Sequence, residues 1–225
     1  MLKPFPVDPA VMASIRPMQF RDAPVVASMH KAAMGNSLWA RLGEGFLTEL
    51  YQGLVEDARF LGFVYTEDEQ IQGFIAGSID ASAMMSEIFR KRWFLLGPRA
   101  AAGLARKPGV IRHLIHTARY FAVSEDEELQ VPAESLFCSF TPACRGKRIS
   151  GHINKVLFDD LAGRGHRYVK ITTETDNEGA NRQLQSWGFE DRGRFEFYGK
   201  QMVRYVLDLQ ACERVEPRLW HPTLG

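Results

Sequence analysis

The stretch TPACRGKRISGHI, from Thr141 to Ile153, decides how this sequence is interpreted. It follows SLFCSF at 135–140, a short apolar run typical of a buried β-strand. It precedes an apolar pattern with helical spacing, formed by Ile153, Val156, Leu157 and Leu161. The unpaired N–H groups and the dipole of a helix start favour an anion in front of the first turn. Arg145, Lys147 and Arg148 cluster there, which predicts a phosphate-binding turn; a solvated basic turn is the alternative.

The other residues of this turn fit a diphosphate. Gly146 permits close approach of the backbone, Ser150 supplies a hydroxyl donor, and the arginines supply charge-assisted hydrogen bonds. The spacing from Gly146 to Gly151 also imitates the first part of a nucleoside-triphosphate P-loop. His152 and Ile153 stand where that motif requires Lys and then Ser or Thr, so the P-loop interpretation fails.

Composition limits the remaining possibilities. The chain has 225 residues, 45% of them hydrophobic, and a net charge of +1. This indicates a folded domain without a general electrostatic attraction to nucleic acid, so no nucleic-acid partner is predicted. The three cysteines match no metal-binding or disulfide spacing, and no segment resembles a secretory or membrane-spanning run. We therefore expect free thiols, no metal and a cytoplasmic location.

The N-terminal part reads as a short strand at 14–20 followed by two helices. The first helix starts at Asp22 and Pro24, and its expected apolar stripe comprises Val25, Val26, Met29, Ala32 and Ala33. The second runs through 38–54. Two strands follow, at 60–65 and 71–79, and the polar turn between them predicts an antiparallel hairpin.

The C-terminal part alternates strands and helices. A strand at 168–173 is followed by a helix through Trp187, for which 175–178 has capping-box spacing starting at Thr175. Two strands complete the pattern, the last at 202–209. This order predicts an α/β fold with a mixed sheet and helices on both faces.

Two motifs in this order resemble the GNAT acyltransferase superfamily. The segment 135–150 resembles its central signature, a strand followed by R/Q-x-x-G-x-G/A, with Arg145 at the opening position. Asn177 to Ala180 and the later Gly188-Phe189 resemble its N-x-x-A…G-F element. The resemblance covers 14–80 and 133–209.

The resemblance implies one GNAT-like domain over 1–225, with a helical insertion at about 81–130 and a short tail at 210–225. It also implies a CoA-dependent N-acyltransferase, with acetyl-CoA as cosubstrate and a primary amine that attacks the thioester directly. The alternatives are a non-catalytic acyl-CoA sensor or partner-docking module on the same fold, or an enzyme with an aminoacyl or long-chain acyl donor.

Carried over by motif, backbone groups of Cys138, Ser139 and Phe140 would bind the pantetheine arm. Asn177 would lie beside that arm. The pyrophosphate would lie over the residues Arg145, Gly146, Lys147, Arg148, Ile149, Ser150 and Gly151. The sequence departs from the family where its glycines fall on Arg148 and Ser150, and we expect Arg148 to keep a negative φ.

The expected catalytic groups are less specific. The amine needs a base, for which Glu174 is the first candidate and Glu134, at the start of the preceding strand, the second. The family's tyrosine proton donor is replaced by Leu184, so Tyr198, Cys138 or water would protonate the thiolate. Each of these residues has an ordinary structural role as its alternative.

The insertion is strongly basic. Between 82 and 120 it contains eight arginines and lysines against Glu87 alone, together with Trp93 and Phe94. Such a segment predicts an anionic acceptor, an acidic carrier protein or an anionic membrane as its partner. A helical lid with solvated charges is the remaining alternative.

Overall fold

The structure is a computed structural model that describes residues 5–35, 37–106, 131–197 and 199–220. It divides into two compact units. The first comprises Met1–Pro17, Leu61–Ala81 and Val131–Gly225, and the second comprises Met18–Phe60 and Ser82–Gln130. Whether they act as the single domain expected from the sequence stays a prediction.

A mixed sheet of seven strands forms the first unit. The strands are β1 (Ile15–Pro17), β2 (Phe60–Glu67), β3 (Gln70–Ser78), β4 (Glu134–Phe140), β5 (Tyr168–Glu174), β6 (Glu190–Phe197) and β7 (Lys200–Asp208). Their order across the sheet is β1-β2-β3-β4-β5-β7-β6. β4 and β5 are parallel, whereas β3 with β4, β5 with β7 and β6 with β7 are antiparallel.

The described part of the chain contains seven α-helices. They are α1 (Pro9–Ala13), α2 (Ala23–Ala33), α3 (Leu38–Arg41), α4 (Glu44–Val55), α5 (Ala81–Arg106), α6 (Ile149–Gly163) and α7 (Glu178–Trp187). Helix α5 occupies the expected insertion between β3 and β4. None of the helices in the described segments combines the length and the apolar character needed to cross a membrane.

The hairpin of β2 and β3 forms as the sequence predicts. Asp68 and Glu69 form a two-residue turn with φ values of 50° and 62°. Two positive φ values suit the twist of a tight hairpin, although Asn-Gly is the more usual sequence for it. The turn places Glu67 and Gln72, on opposite sides of the hairpin end, beside the basic loop described below.

Helix α6 lies in the core of the first unit. Every residue from 151 to 161 is buried. The ring of Phe158 contacts those of Trp187 and Phe189 at centroid distances of 5.2 and 5.6 Å, which joins α6 to α7 and to the start of β6. The helix that follows the basic loop is therefore fixed along its whole length.

The second unit corrects one prediction. The buried face of α2 consists of Ala23, Val26, Ala27 and His30. The expected stripe was wrong, because Val25, Ala32 and Ala33 are exposed. Apolar residues surround this helix almost evenly, so only packing against α4 selects the buried side. The contact is polar as well, since His30 Nδ1 and the Tyr51 hydroxyl are hydrogen-bonded at 2.8 Å.

Candidate functional site

The two parallel strands of the sheet separate where the candidate site begins. β4 pairs with β5 only at Glu134 with Lys170 and at Ser135 with Ile171. The register of β3 against β4 shifts at this point, because Ala76 pairs with Phe137 and Gly77 with Ser135. Leu136 is the extra residue of this β-bulge. A bulge bends its strand and interrupts pairing, so β4 beyond Ser135 has no β5 residue in its ladder over the described positions.

The loop after β4 is anchored to the β2–β3 hairpin. The N–H of Thr141 donates to the Gln72 carbonyl at 2.8 Å, and the Thr141 hydroxyl donates to Gln72 Oε1 at 2.7 Å. The Cys144 thiol lies 3.3 Å from the same carbonyl oxygen. These contacts hold both ends of a 3₁₀ turn, Pro142–Cys144, and thereby fix the start of the basic segment.

Two residues of the basic loop adopt left-handed backbone conformations. Gly146 has φ = 76°, which glycine tolerates without steric cost. Arg148, the N-cap of α6, has φ = 56° and ψ = 21°. The expected negative φ at Arg148 was therefore wrong. The turn into α6 requires a left-handed residue at this position, which explains why the family signature places a glycine there.

The three cations of the loop differ in their environment. Lys147 Nζ lies 2.7 Å from Glu67 Oε1, and this hydrogen bond raises the pKa of Lys147. Arg145 and Arg148 are exposed, and neither side chain pairs with any residue that the structure describes. In the first turn of α6 the Gly151 N–H donates to the Arg148 carbonyl at 3.0 Å, whereas the N–H groups of Ile149 and Ser150 precede the first intrahelical bonds. Two exposed cations therefore lie next to a helix start in the chain.

The rest of the predicted cradle is partly covered. Ile149 belongs to the hydrophobic core, and a Cβ at Gly151 would lie 2.7 Å from the Phe5 ring. Ser150 remains partly exposed. Ile149 and Gly151 would therefore contribute only backbone groups to a ligand, and Gly151 lies under the N-terminal segment.

His152 is a residue of this region to which the sequence assigned no role. It is buried, its Nδ1 lies 2.9 Å from the Arg148 carbonyl, and its Nε2 accepts the Asp8 N–H at 2.9 Å. The proton must be on Nδ1 for both bonds to form. His152 thus supports the carbonyl of the left-handed residue. A histidine four residues after a helix cap is the sequence signal for such a contact.

The end of β4 carries the residues expected beside the pantetheine arm. Cys138 is exposed, Ser139 is buried and Phe140 is half-buried. Although water reaches the side chain of Cys138, surrounding protein raises the pKa of its thiol to about 11. The thiol is therefore protonated at neutral pH.

The turn from β5 into α7 is held by two asparagines. Asn177, rather than Thr175, is the N-cap, and its Oδ1 accepts the Ala180 N–H at 3.2 Å. The predicted starting residue was wrong because the chain turns for two further residues after β5. The Asn181 side-chain amide donates to the carbonyls of Glu174 and Thr175, both at 3.1 Å. Asn177 is exposed at this turn.

The two candidate bases lie at opposite ends of the parallel strand pair. Glu174 ends β5, beyond the point where β4 separates, and pairs with Lys200. Glu134 starts β4, is buried, and lies 3.6 Å from Lys170. Burial raises the pKa of Glu134, and the Lys170 charge opposes this shift.

The remaining predicted residues contribute little to the described site. Leu184 lies in the hydrophobic core. Tyr198 lies outside the described residues. Cys138, Cys144 and Cys212 are free thiols. No group of three or more His, Cys, Asp or Glu side chains in the described segments is arranged to hold a metal ion.

Comparisons with known proteins give a structural match only. No protein-family model matches the sequence, and no curated protein matches it either. An N-acetyltransferase from Staphylococcus aureus Mu50 superposes with a TM-score of 0.56 at 14% identity, covering 87% of this chain and 97% of that one. A ribosomal-protein-alanine N-acetyltransferase from Brucella melitensis gives 0.55 at 15% identity, covering 86% and 98%.

A further match is to a structure named as an acetyltransferase of the GNAT family from Desulfovibrio desulfuricans. Its TM-score is 0.56 at 11% identity, and the match covers 87% of this chain and 98% of that one. The sheet order, the parallel β4–β5 pair and the helix after the basic loop agree with the predicted mixed α/β class. The chain therefore has the fold of the GNAT N-acetyltransferases.

Proposed function

We propose that this protein is a CoA-dependent N-acyltransferase that transfers acetyl from acetyl-CoA to a primary amine. The observation that carries the proposal is the coincidence of two features at one end of β4. The strand leaves β5 after Ser135, and the loop that follows it presents Arg145 and Arg148 without described partners. A thioester carrier needs a slot for an extended arm beside a site for a diphosphate.

The residues present fit such a carrier. Backbone groups on the β5 side of Cys138 to Phe140 would hydrogen-bond the arm as an added strand does. The first-turn amides of α6 and the two arginines would receive the pyrophosphate. The bound thioester supplies the acyl group, and one β4 N–H would polarise its carbonyl. Asn177, at the exposed turn after β5, would border the arm.

A base must take a proton from the acceptor amine, whose pKa of about 10.4 keeps it protonated at neutrality. We favour Glu174, because it follows the separation of the two strands. Its ion pair with Lys200 would hold the carboxylate at the strand end. Glu134 is the second candidate. Its raised pKa suits a base, but Cys138 lies four positions further along the strand, roughly 13 Å away.

The leaving thiolate needs a proton from another group. Leu184 has none to give, and the Cys138 thiol is a weaker acid than an ordinary thiol of pKa about 8.5. Proton transfer from Cys138 to the thiolate would therefore be unfavourable. Water or Tyr198 remains for this role. The three free thiols are compatible with the reducing cytoplasmic location expected from the sequence.

A second candidate function is an acyl-CoA sensor without catalysis. The burial of Leu184 in the core favours it, because the family's proton donor would stand at that position. Calorimetric titration with acetyl-CoA, combined with a thiol-release assay over a panel of amines, separates the two. An enzyme binds acetyl-CoA and releases CoA with at least one amine. A sensor binds it and releases none, and a protein that does not bind it contradicts both functions.

A further inference from the structure

Helix α5 presents an aromatic and basic face in the second unit. Trp93 and Phe94 are 70% and 55% exposed, the largest exposed fractions among the large hydrophobic residues that the structure describes. Their rings contact edge to face at 6.4 Å. The exposed residues around them are Arg90, Lys91, Gly97, Pro98 and Arg99. Exposed aromatic rings that lie next to each other indicate a surface that binds a partner.

The opposite side of α5 is fixed, which determines this orientation. The guanidinium group of Arg92 pairs with both Glu49 and Glu56 on or next to α4. Its side chain crosses Gly53, where a Cβ would lie 2.8 Å from Arg92 Cδ. Ile88 and Leu96, four positions before and after Arg92, are buried, and α5 is kinked at Arg92, where φ is −111° and ψ is 17°. The stripe from 88 to 96 therefore holds α5 in the unit, and the aromatic pair lies away from it.

Electrostatics indicate an anionic partner. Helix α5 contains five basic residues and one acidic residue, Glu87, but Arg92 and Arg99 both pair with Glu49 and are not available to a partner. Glu87 is shared by Arg90 and Lys91, at 2.7 and 3.0 Å, so it neutralises one of the two charges. Arg90 and Lys91 have side-chain exposures of 70% and 65%. Both can therefore reach a partner that contacts Trp93 and Phe94.

We propose that this face of α5, defined as Arg90, Lys91, Trp93 and Phe94, binds the surface of a membrane that contains anionic lipid. Trp and Phe insert at the boundary between headgroups and acyl chains, while arginine and lysine contact lipid phosphates. A lipid surface offers these two exposed rings an apolar environment, whereas the carboxylates of an acidic protein would contact only the cations. The proposal is independent of the acyltransfer function.

The test is flotation of the full chain with vesicles of phosphatidylcholine alone and of an equimolar mixture with phosphatidylglycerol. We expect binding to the anionic vesicles only, weakened by salt. W93S/F94S removes the inserting rings and should lower the partition coefficient by about tenfold or more. R90Q/K91Q should lower it about fivefold for each lost cation and reduce its salt dependence.

Phe20→Ser is the matched control. Phe20 is another exposed aromatic residue of the same unit, 45% exposed, but it lies outside α5. The partition coefficient of the Phe20→Ser variant should equal that of the wild-type protein. Failure to bind anionic vesicles at low salt would overturn the proposal, as would wild-type binding by a folded W93S/F94S variant. Binding to poly-glutamate without binding to vesicles would assign the face to an acidic protein instead.

Discussion

Lys147 Nζ lies 2.7 Å from Glu67 Oε1, whereas the guanidinium groups of Arg145 and Arg148, beside it in the same loop, have no partner in the described part of the chain. This difference separates a cation that holds the loop to the hairpin from two that are available to a ligand. Lys147 can therefore serve as the control position when Arg145 and Arg148 are substituted to test the proposed diphosphate site.

R145E/R148E should raise the dissociation constant for acetyl-CoA by tenfold or more, the scale of one lost charge-assisted contact. Lys147→Gln should raise it by less than about threefold, because Lys147 already pairs with Glu67. Calorimetry measures both, and circular dichroism checks folding. If Lys147→Gln raises the dissociation constant as much as R145E/R148E does, the total positive charge of the loop, and not the two arginines, determines binding.

Removal of the base should lower turnover. Glu174→Gln should reduce kcat/KM by about 10² to 10⁴, the usual contribution of general-base catalysis. Glu134→Gln should reduce it much less. If Glu134→Gln causes the larger loss in a folded protein, the buried carboxyl at the joined end of the strands is the base.

An added Cβ at Gly146 should destabilise the left-handed turn of the basic loop. Gly146→Ala should lower the free energy of unfolding by about 1 kcal/mol, because φ is 76° and no atom lies near the added methyl group. Gly179→Ala is the control in the same unit. Its φ is not positive, so the substitution in helix α7 should stabilise by roughly 0.5–1 kcal/mol. Chemical denaturation measures both, and the two changes should have opposite signs.

The second unit should lose stability in mild acid. Burial lowers the pKa of His30 to about 4, so between pH 6.5 and 4 the unfolded chain binds a proton that the folded chain does not. The free energy of unfolding should therefore fall as pH falls through this window, by about 3 kcal/mol in total. Hydrogen exchange of α2 and α4 amides measures it. His30→Gln, which retains a polar partner for Tyr51, should show a much smaller slope.

In the first unit, the buried Asp159 should give the free energy of unfolding the opposite dependence on pH. Burial raises the pKa of Asp159 to about 6, despite its contacts with Lys155 at 3.1 Å and with the Glu216 N–H at 2.8 Å. The folded chain then binds the extra proton between pH 4 and 6, so this group destabilises the unit as pH rises. Asp159→Asn should remove that contribution. An unchanged exchange profile of α6 across this range would contradict the assignment.

The sequence by itself determined the order of the strands, the hairpin, and the position of the basic turn between a strand and a helix. It did not indicate α1, and the single helix expected at 38–54 is divided into α3 and α4. The features that the sequence determined depend on local periodicity and on residues such as Gly146 and Asn177, whose conformational preferences act over a few positions. Local patterns also carried the family resemblance at Arg145 and at Gly188-Phe189.

Only the tertiary structure decided which of these residues are available to a ligand. Glu67 neutralises Lys147 from 80 residues away, His152 supports the Arg148 carbonyl from beneath, and packing against α4 selected the face of α2 that contains His30. The β-bulge at Leu136 is also a property of the pairing with β3. Such relationships join positions far apart in the chain, where close packing and hydrogen-bond geometry outweigh local preference.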